Sequence, residues 1–120
     1  MMHGMIYKNQ PLIPIVIGWR FGAQEFIALI DTGFTGELKV SPETAEQLGL
    51  VISHTESVSL GNDEVVSMSA SLAAVSMEGV MKTVSVLVSR GMPIVGVSFL
   101  KKFGYTLTLD FNLDTLSLQR

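Results

Sequence analysis

The sequence contains no cysteine, and this one absence removes disulfide frameworks, thiolate metal sites, iron-sulfur clusters and cysteine nucleophiles together, leaving the redox compartment undetermined. Histidine is scarce too. His3 and His54 are isolated from one another and read as surface residues rather than metal ligands, so no metal or cofactor is expected. Charge is thin: 16% of residues are charged, and 8 Lys and Arg against 11 Asp and Glu leave a net charge of −3. Without a basic run to track a phosphate backbone, nucleic acid is not an expected partner. Apolar runs end after a handful of residues, far short of the roughly 20 that cross a bilayer. The opening MMHGMIYKNQPLIP lacks a basic stretch followed by a long apolar one, so it does not read as a secretory leader. The expectation is a cytoplasmic protein with no membrane contact. No Gly-Lys-Ser/Thr phosphate loop occurs, and Gly96-Val97-Ser98-Phe99-Leu100 lacks the second glycine of a nucleophile elbow, which argues against a serine hydrolase.

What the chain has in quantity is apolar surface. Hydrophobic residues make up 48% of it and the mean hydropathy is +0.44, more than a small soluble monomer needs, which points to a buried interface. A length of 120 residues fits one compact domain over residues 1–120. Folding at this size buries roughly two thirds of the unfolded surface, so a core forms without staples.

The apolar residues alternate or come in short β-branched runs divided by turn residues, which predicts a mainly β fold. Leu12 to Ile17 and Glu25 to Ile30 flank the glycine-bracketed connection Gly18 to Gln24. Val58-Ser59-Leu60 and Val65 to Met68 flank Gly61-Asn62-Asp63-Glu64, a hairpin with a polar tip. Ala70 to Met77 and Val80 to Val88 flank Glu78-Gly79, and Tyr105 to Leu109 alternates before Asn112-Leu113-Asp114 turns into Thr115 to Leu118. Met68, Met77 and Met81 fall in these segments and read as core filler. Trp19 falls in a predicted turn, packed onto its own hairpin.

Two segments break the rhythm. Ser41 to Gly49 places a capping serine, Pro42 and an early glutamate before a glycine stop, which predicts a short helix. Ser98 to Gly104 repeats that grammar with a serine start, late lysines and a glycine stop. Each helix follows an apolar run that ends at a glycine turn, so the chain looks weakly duplicated in architecture. Only the first copy carries a carboxylate.

That carboxylate is Asp31, at the end of Phe26-Ile27-Ala28-Leu29-Ile30, a run whose character predicts a strand buried on both faces. A carboxylate there needs donors, a paired group or a shifted pKa to offset its desolvation. Thr32 offers a hydroxyl and Gly33 a backbone that can turn sharply. On these residues alone, Asp31 is either held for chemistry or caps a turn, as aspartates often do.

Ala28-Leu29-Ile30-Asp31-Thr32-Gly33, a polar-tipped hairpin, Pro93-Ile94-Val95-Gly96, a short helix and Gly104-Tyr105-Thr106-Leu107 resemble, in that order, the retropepsin-like aspartic proteases, in their single-domain bacterial or archaeal form. The resemblance spans about residues 11 to 111. It implies a closed or orthogonal, β-barrel-like acid protease fold with one or two short helices. It further implies Asp31 as the catalytic aspartate, and Thr32 and Gly33 as members of the active-site loop. Val95 and Gly96 would support that loop from beneath. Leu60, Gly61, Asn62, Asp63, Glu64 and Val65 would form a flap over bound peptide. The chain departs from the retroviral pattern at Phe34, where a small residue is usual, and at Thr35 and Val97, where retroviral members carry an Asp and the Arg that pairs with it. Losing both partners together is physically consistent, because losing one would strand a charge.

Peptide hydrolysis by this chemistry uses two carboxylates sharing a proton. Asp63, Asp110 and Asp114 are followed by Glu, Phe and Thr, so no second Asp-Thr-Gly exists and the resemblance implies a homodimer pairing Asp31 with its symmetry mate. The implied function is an aspartic endopeptidase. The alternative is a non-catalytic peptide-binding or assembly module on the same fold. In the family the terminal strands of two subunits interleave; here residues before Leu12 and the 105 to 118 region either do the same or complete the chain's own sheet.

Overall fold

A computed structural model of the chain describes residues 1–59 and 62–120. Its elements, in chain order, are β1 (Met2–Tyr7), β2 (Gln10–Trp19), β3 (Gly22–Ile30), β4 (Leu38–Val40), α1 (Pro42–Leu48), β5 (His54–Ser59), β6 (Val65–Met77), β7 (Val80–Val88), β8 (Ile94–Val95), α2 (Val97–Lys102), β9 (Thr106–Asp110) and β10 (Thr115–Gln119). The strands form one sheet in the order β5-β6-β7-β4-β8-β3-β2-β1-β10-β9. A further pairing of β6 with β2, through Val16, Ile17 and Gly18, closes β2, β3, β8, β4, β7 and β6 into a barrel. The mainly β, barrel-like fold with two short helices agrees with the expectation.

Strand β2 makes the closure possible by serving two partners on one edge. Its first residues pair with β1 and its last with β6, while β3 runs along the other edge from Leu12↔Leu29 to Trp19↔Gly22. Pro14 lies between those two stretches, where, among the described residues, no strand pairs with that edge of β2 and a residue without an N–H is tolerated. Alternation along β2 sends Ile13, Ile15 and Ile17 into the barrel, where they meet Leu38, Val40, Val75, Val84 and Val86, all fully buried. Helix α2 covers this core with Phe99, whose ring lies 4.9 Å from that of Phe103.

The terminal strands complete the chain's own sheet. β10 lies between β1, from Met2↔Leu118 to Met5↔Thr115, and β9, from Thr115↔Asp110 to Gln119↔Thr106. Two features fix that arrangement. Asp110 accepts the N–H groups of Asn112 and Leu113 at 2.9 and 3.1 Å and so tightens the turn between β9 and β10. Gly4 lets β1 run close over β2, since a Cβ there would stand 2.2 Å from the Leu12 carbonyl oxygen.

Several local expectations change. Strands β2 and β3 extend to a two-residue turn at Arg20-Phe21, because Gly22 takes φ +117; Trp19 ends β2 and is 38% exposed. The 65 to 68 and 70 to 77 runs join in one long strand. The run before Asp31 is not buried on both faces: Ala28 and Ile30 point inward, whereas Ile27 is 51% exposed on the outer face of the barrel wall. Met77 is core, Met68 is half-buried and Met81 is 71% exposed, since alternation on β7 turns it outward. Helix α1 is capped as expected by the Ser41 hydroxyl, which accepts the Thr44 N–H, and ends at Gly49 with φ 72. Helix α2 begins at Val97 rather than after Ser98, with Gly96 at its cap position and no side-chain cap; Ser98 is used elsewhere.

Candidate active site

The geometry around Asp31 is set by the meeting of β3 with β8. The two pair in parallel, Leu29↔Ile94 and Ile30↔Val95, and the Leu29 N–H donates to the Pro93 carbonyl at 2.9 Å. The pairing continues one residue past β3, where the Asp31 N–H donates to the Val95 carbonyl at 3.0 Å. Asp31 therefore enters the 31–37 loop with its backbone still registered on the barrel. Its carboxylate Oδ1 accepts the Gly33 N–H at 2.8 Å, and its carbonyl accepts the Phe34 N–H at 3.1 Å. The first of these is an Asx-type turn that orients one carboxylate oxygen; the other accepts no hydrogen bond among the described residues.

The rest of the loop is laced to the β8–α2 junction. The Val97 N–H donates to Phe34 O and the Gly96 N–H to Glu37 O, each at 3.0 Å, and the Ser98 hydroxyl donates to Thr35 O. Gly96 is wedged beneath the loop: a Cβ there would lie 2.3 Å from Gly36 O and 2.4 Å from Phe34 O. No other residue type fits that position without moving backbone. The Val95-Gly96 support drawn from the sequence is thus brought into direct contact with the Asp31 loop. Thr32 and Gly33 are exposed on its outer side.

Asp31 and Gly33 line a cavity of about 140 Å³ whose apolar walls are Phe34, Val58, Met68 and Leu87, with Lys39 also at its edge. Burial pushes the Lys39 ammonium below the usual lysine range, and the group donates to the Arg90 carbonyl. Through Phe34, Val58 and Leu87 the cavity borders a second, larger one of about 510 Å³ of mixed character, to which Glu37, Glu56, Ser85, Lys101 and Lys102 also contribute. Phe34 occupies the dividing wall, so the bulky residue that departs from the retroviral pattern shapes both spaces.

The expected flap hairpin is formed by β5 and β6, paired from His54↔Ala70 to Ser59↔Val65. Leu60 and Gly61 lie outside the described residues. Asn62, Asp63 and Glu64 are exposed at the tip; the Asn62 side chain accepts the Glu64 N–H at 3.1 Å, and Asp63 takes φ 65. Val65 is 64% exposed. These tip residues do not line the Asp31 cavity; the hairpin reaches it through Val58, Ser59 and Met68.

Thr35 and Val97 are both exposed and form no ion pair. A different pair stands nearby, Glu37 with Lys102, which the sequence did not reveal: the residues lie 65 positions apart and no local pattern links them. Lys39 and Met68 escape a sequence reading for a similar reason, since Lys39 comes near Asp31 only through the pairing of β4 with β8 and of β8 with β3, and Met68 only through the folded β5–β6 hairpin. Among the described residues, no group of three or more His, Cys, Asp or Glu is placed to hold a metal ion, and no helix is long and apolar enough to cross a membrane.

No family model and no curated protein matches the sequence. Solved structures do match. A protease of EIAV, in complex with the inhibitor HBY-793, superposes with a TM-score of 0.62 at 17% identity, covering 85% of this chain and 95% of that one. A retropepsin-like aspartic protease from Rickettsia conorii superposes with a TM-score of 0.61, also at 17% identity, covering 98% of this chain and 87% of that one. A barrel closed by β2 and β6, an Asp-Thr-Gly loop seated on Val95-Gly96, and agreement over nearly the whole length of both structures identify the fold of this chain as that of the retropepsin-like aspartic proteases.

Proposed function

We propose that the chain is a single-domain, cytoplasmic aspartic endopeptidase that works as a homodimer. The observation that carries this reading is the position of Asp31. Its carboxylate is anchored through one oxygen by the Gly33 N–H, at the edge of an apolar cavity and beside an exposed Thr32-Gly33 face where a second copy can approach. Exposed apolar side chains on the elements that carry the loop, Ile27 on β3, Met92 before β8 and Val97 on α2, favour self-association. The retropepsin fold supports the same reading.

In this mechanism Asp31 and the partner subunit's Asp31 share one proton, because two adjacent carboxylates do not both ionise. The ionised member takes a proton from water as its oxygen attacks the scissile carbonyl carbon, and the protonated member donates to the carbonyl oxygen. The tetrahedral diol then collapses: a proton passes to the peptide nitrogen, the C–N bond breaks, and an acid and an amine leave. Val58, Ser59 and Met68 of the hairpin would contact the bound peptide, and the exposed Asn62, Asp63 and Glu64, with Val65, would close over it as a flap.

Asp31→Asn tests the assignment. The amide keeps an acceptor for the Gly33 N–H, so stability should change by less than about 1 kcal/mol. Cleavage of unfolded casein should fall by at least about 100-fold. Undiminished cleavage would remove Asp31 from the mechanism. Saturable peptide binding by the native protein without product, at every pH from acid to neutral, would favour the binding module.

A further inference from the structure

The loop that holds Asp31 is fixed at its start by β8 and at its middle by the first residues of α2, through Val97 N–H to Phe34 O and the Ser98 hydroxyl to Thr35 O. Its end is fixed differently. The Glu37 carboxylate grips the Lys102 ammonium with both oxygens, at 2.8 and 2.7 Å, and accepts the Ser85 N–H of β7 at 3.4 Å. Lys102 in turn donates to the Thr83 carbonyl of β7 at 3.0 Å. Glu37 is only 16% exposed, and the one contact of its buried Oε2 among the described residues is the ammonium itself. The carboxylate is the enclosed member of the pair, while Lys102 keeps 34% of its side chain exposed.

The result is a closed circuit. α2 holds the loop from its first turn, and its last turn is held by the loop through Glu37, with β7 as the common abutment. The network reaches the hairpin as well, because the Ser85 hydroxyl donates to Glu56 of β5 at 2.7 Å. We infer that Glu37 and Lys102 form a positioning pair that locks α2 against the Asp31 loop, the electrostatic brace of this site where Thr35 and Val97 provide none. The inference builds on the protease reading, but its geometric half stands on amides that can be followed without turnover.

Hydrogen exchange read amide by amide in the full chain tests it. In Glu37→Gln and in Lys102→Met, the Gly96 and Val97 amides, whose acceptors lie on the loop, should exchange at least about tenfold faster, while those of β9 and β10 keep their rates. The double variant should loosen them no further than either single change, because the two groups act as one unit. Lys102→Arg should restore protection. With a peptide excised from the casein digest, kcat should fall by about 10- to 100-fold with KM nearly unchanged, as expected for a displaced reacting group. Unchanged exchange at Gly96 and Val97, or acceleration spread evenly over the chain, would overturn the inference, as would a raised KM at constant kcat, which marks a residue that only lines the larger cavity. If the native protein cleaves nothing, the protease reading fails on its own and the exchange rates still decide the fate of the pair.

Discussion

The chain contains two strand–turn–helix units that end in different occupations. In the first, β3 runs into a loop that carries a half-buried Asp31 and exposes Thr32 and Gly33 before β4 and α1. In the second, β8 runs directly through Gly96 into α2 and exposes no acid at its turn. The helices differ to match. α1 satisfies its own first turn with Ser41, whereas α2 has no side-chain cap and gives its Val97 N–H to Phe34 O of the first unit. One unit therefore carries the acid, and the other directs its backbone donors and its serine to the loop of the first. On the proposed protease reading, a chain with a single acidic unit holds half of the machinery, and a second copy would supply the other carboxylate.

Glycine substitutions should break this division of labour most severely. Gly96→Ala places a Cβ against two backbone carbonyl oxygens that cannot swing aside, and a loss of at least about 3 kcal/mol, or no folded protein, is expected in denaturant unfolding. Gly36→Ala meets chiefly the Phe34 ring, 2.5 Å from the new Cβ, which can rotate away, so about 1 kcal/mol should be lost. Equal losses at the two positions would mean that the second unit is not a rigid seat for the first.

The serines should separate the units more gently. Ser41→Ala removes a true cap from α1 and should cost about 1 kcal/mol. Ser98→Ala frees an exposed carbonyl that water can serve, so its stability cost should be about 0.5 kcal/mol. Thermal unfolding of both variants checks the ranking; a larger loss for Ser98→Ala would show that its bond to Thr35 carries more of the fold than a cap does.

A further effect, confined to alkaline pH, lies at the exit of α2. Burial, then the 2.7 Å hydrogen bond to Glu78, push the Tyr105 hydroxyl from 10.0 to about 12. The folded state thus holds this proton more tightly than the unfolded state, so the contribution is complete below pH 10 and is lost as pH rises from 10 to about 12. Tyr105→Phe should flatten that part of the stability-against-pH curve; an unaltered slope would assign it to other groups.

Much of this was legible in the sequence, because it is written locally. Glu78-Gly79 makes a hairpin turn through its own backbone angles, φ 50 and 78, and α1 is announced by Ser41, Pro42 and Gly49. Asp31 stood out as the acid at the end of an apolar run. What escaped is non-local. The three residues of β4 and the closure of β2 on β6 exist only because distant strands meet. The Glu37–Lys102 pair requires both the loop and α2 to be in place. Ser98 was misread as a cap because the competing acceptor, Thr35 O, lies 63 residues away. The position of the terminal strands was left open by the sequence, and β10 is enclosed on both edges by its own chain.

The absence of cysteine allows the central claim to be tested with a single introduced thiol. In Asp31→Cys, two copies meeting as a dyad would bring the new sulfurs into disulfide reach, with Cα atoms about 4.4–6.8 Å apart. Mild oxidation of the dimer fraction should then give nearly complete covalent dimer, reversed by reductant. A dimer that sediments as such yet stays uncrosslinked would place the two Asp31 sites apart and contradict the account.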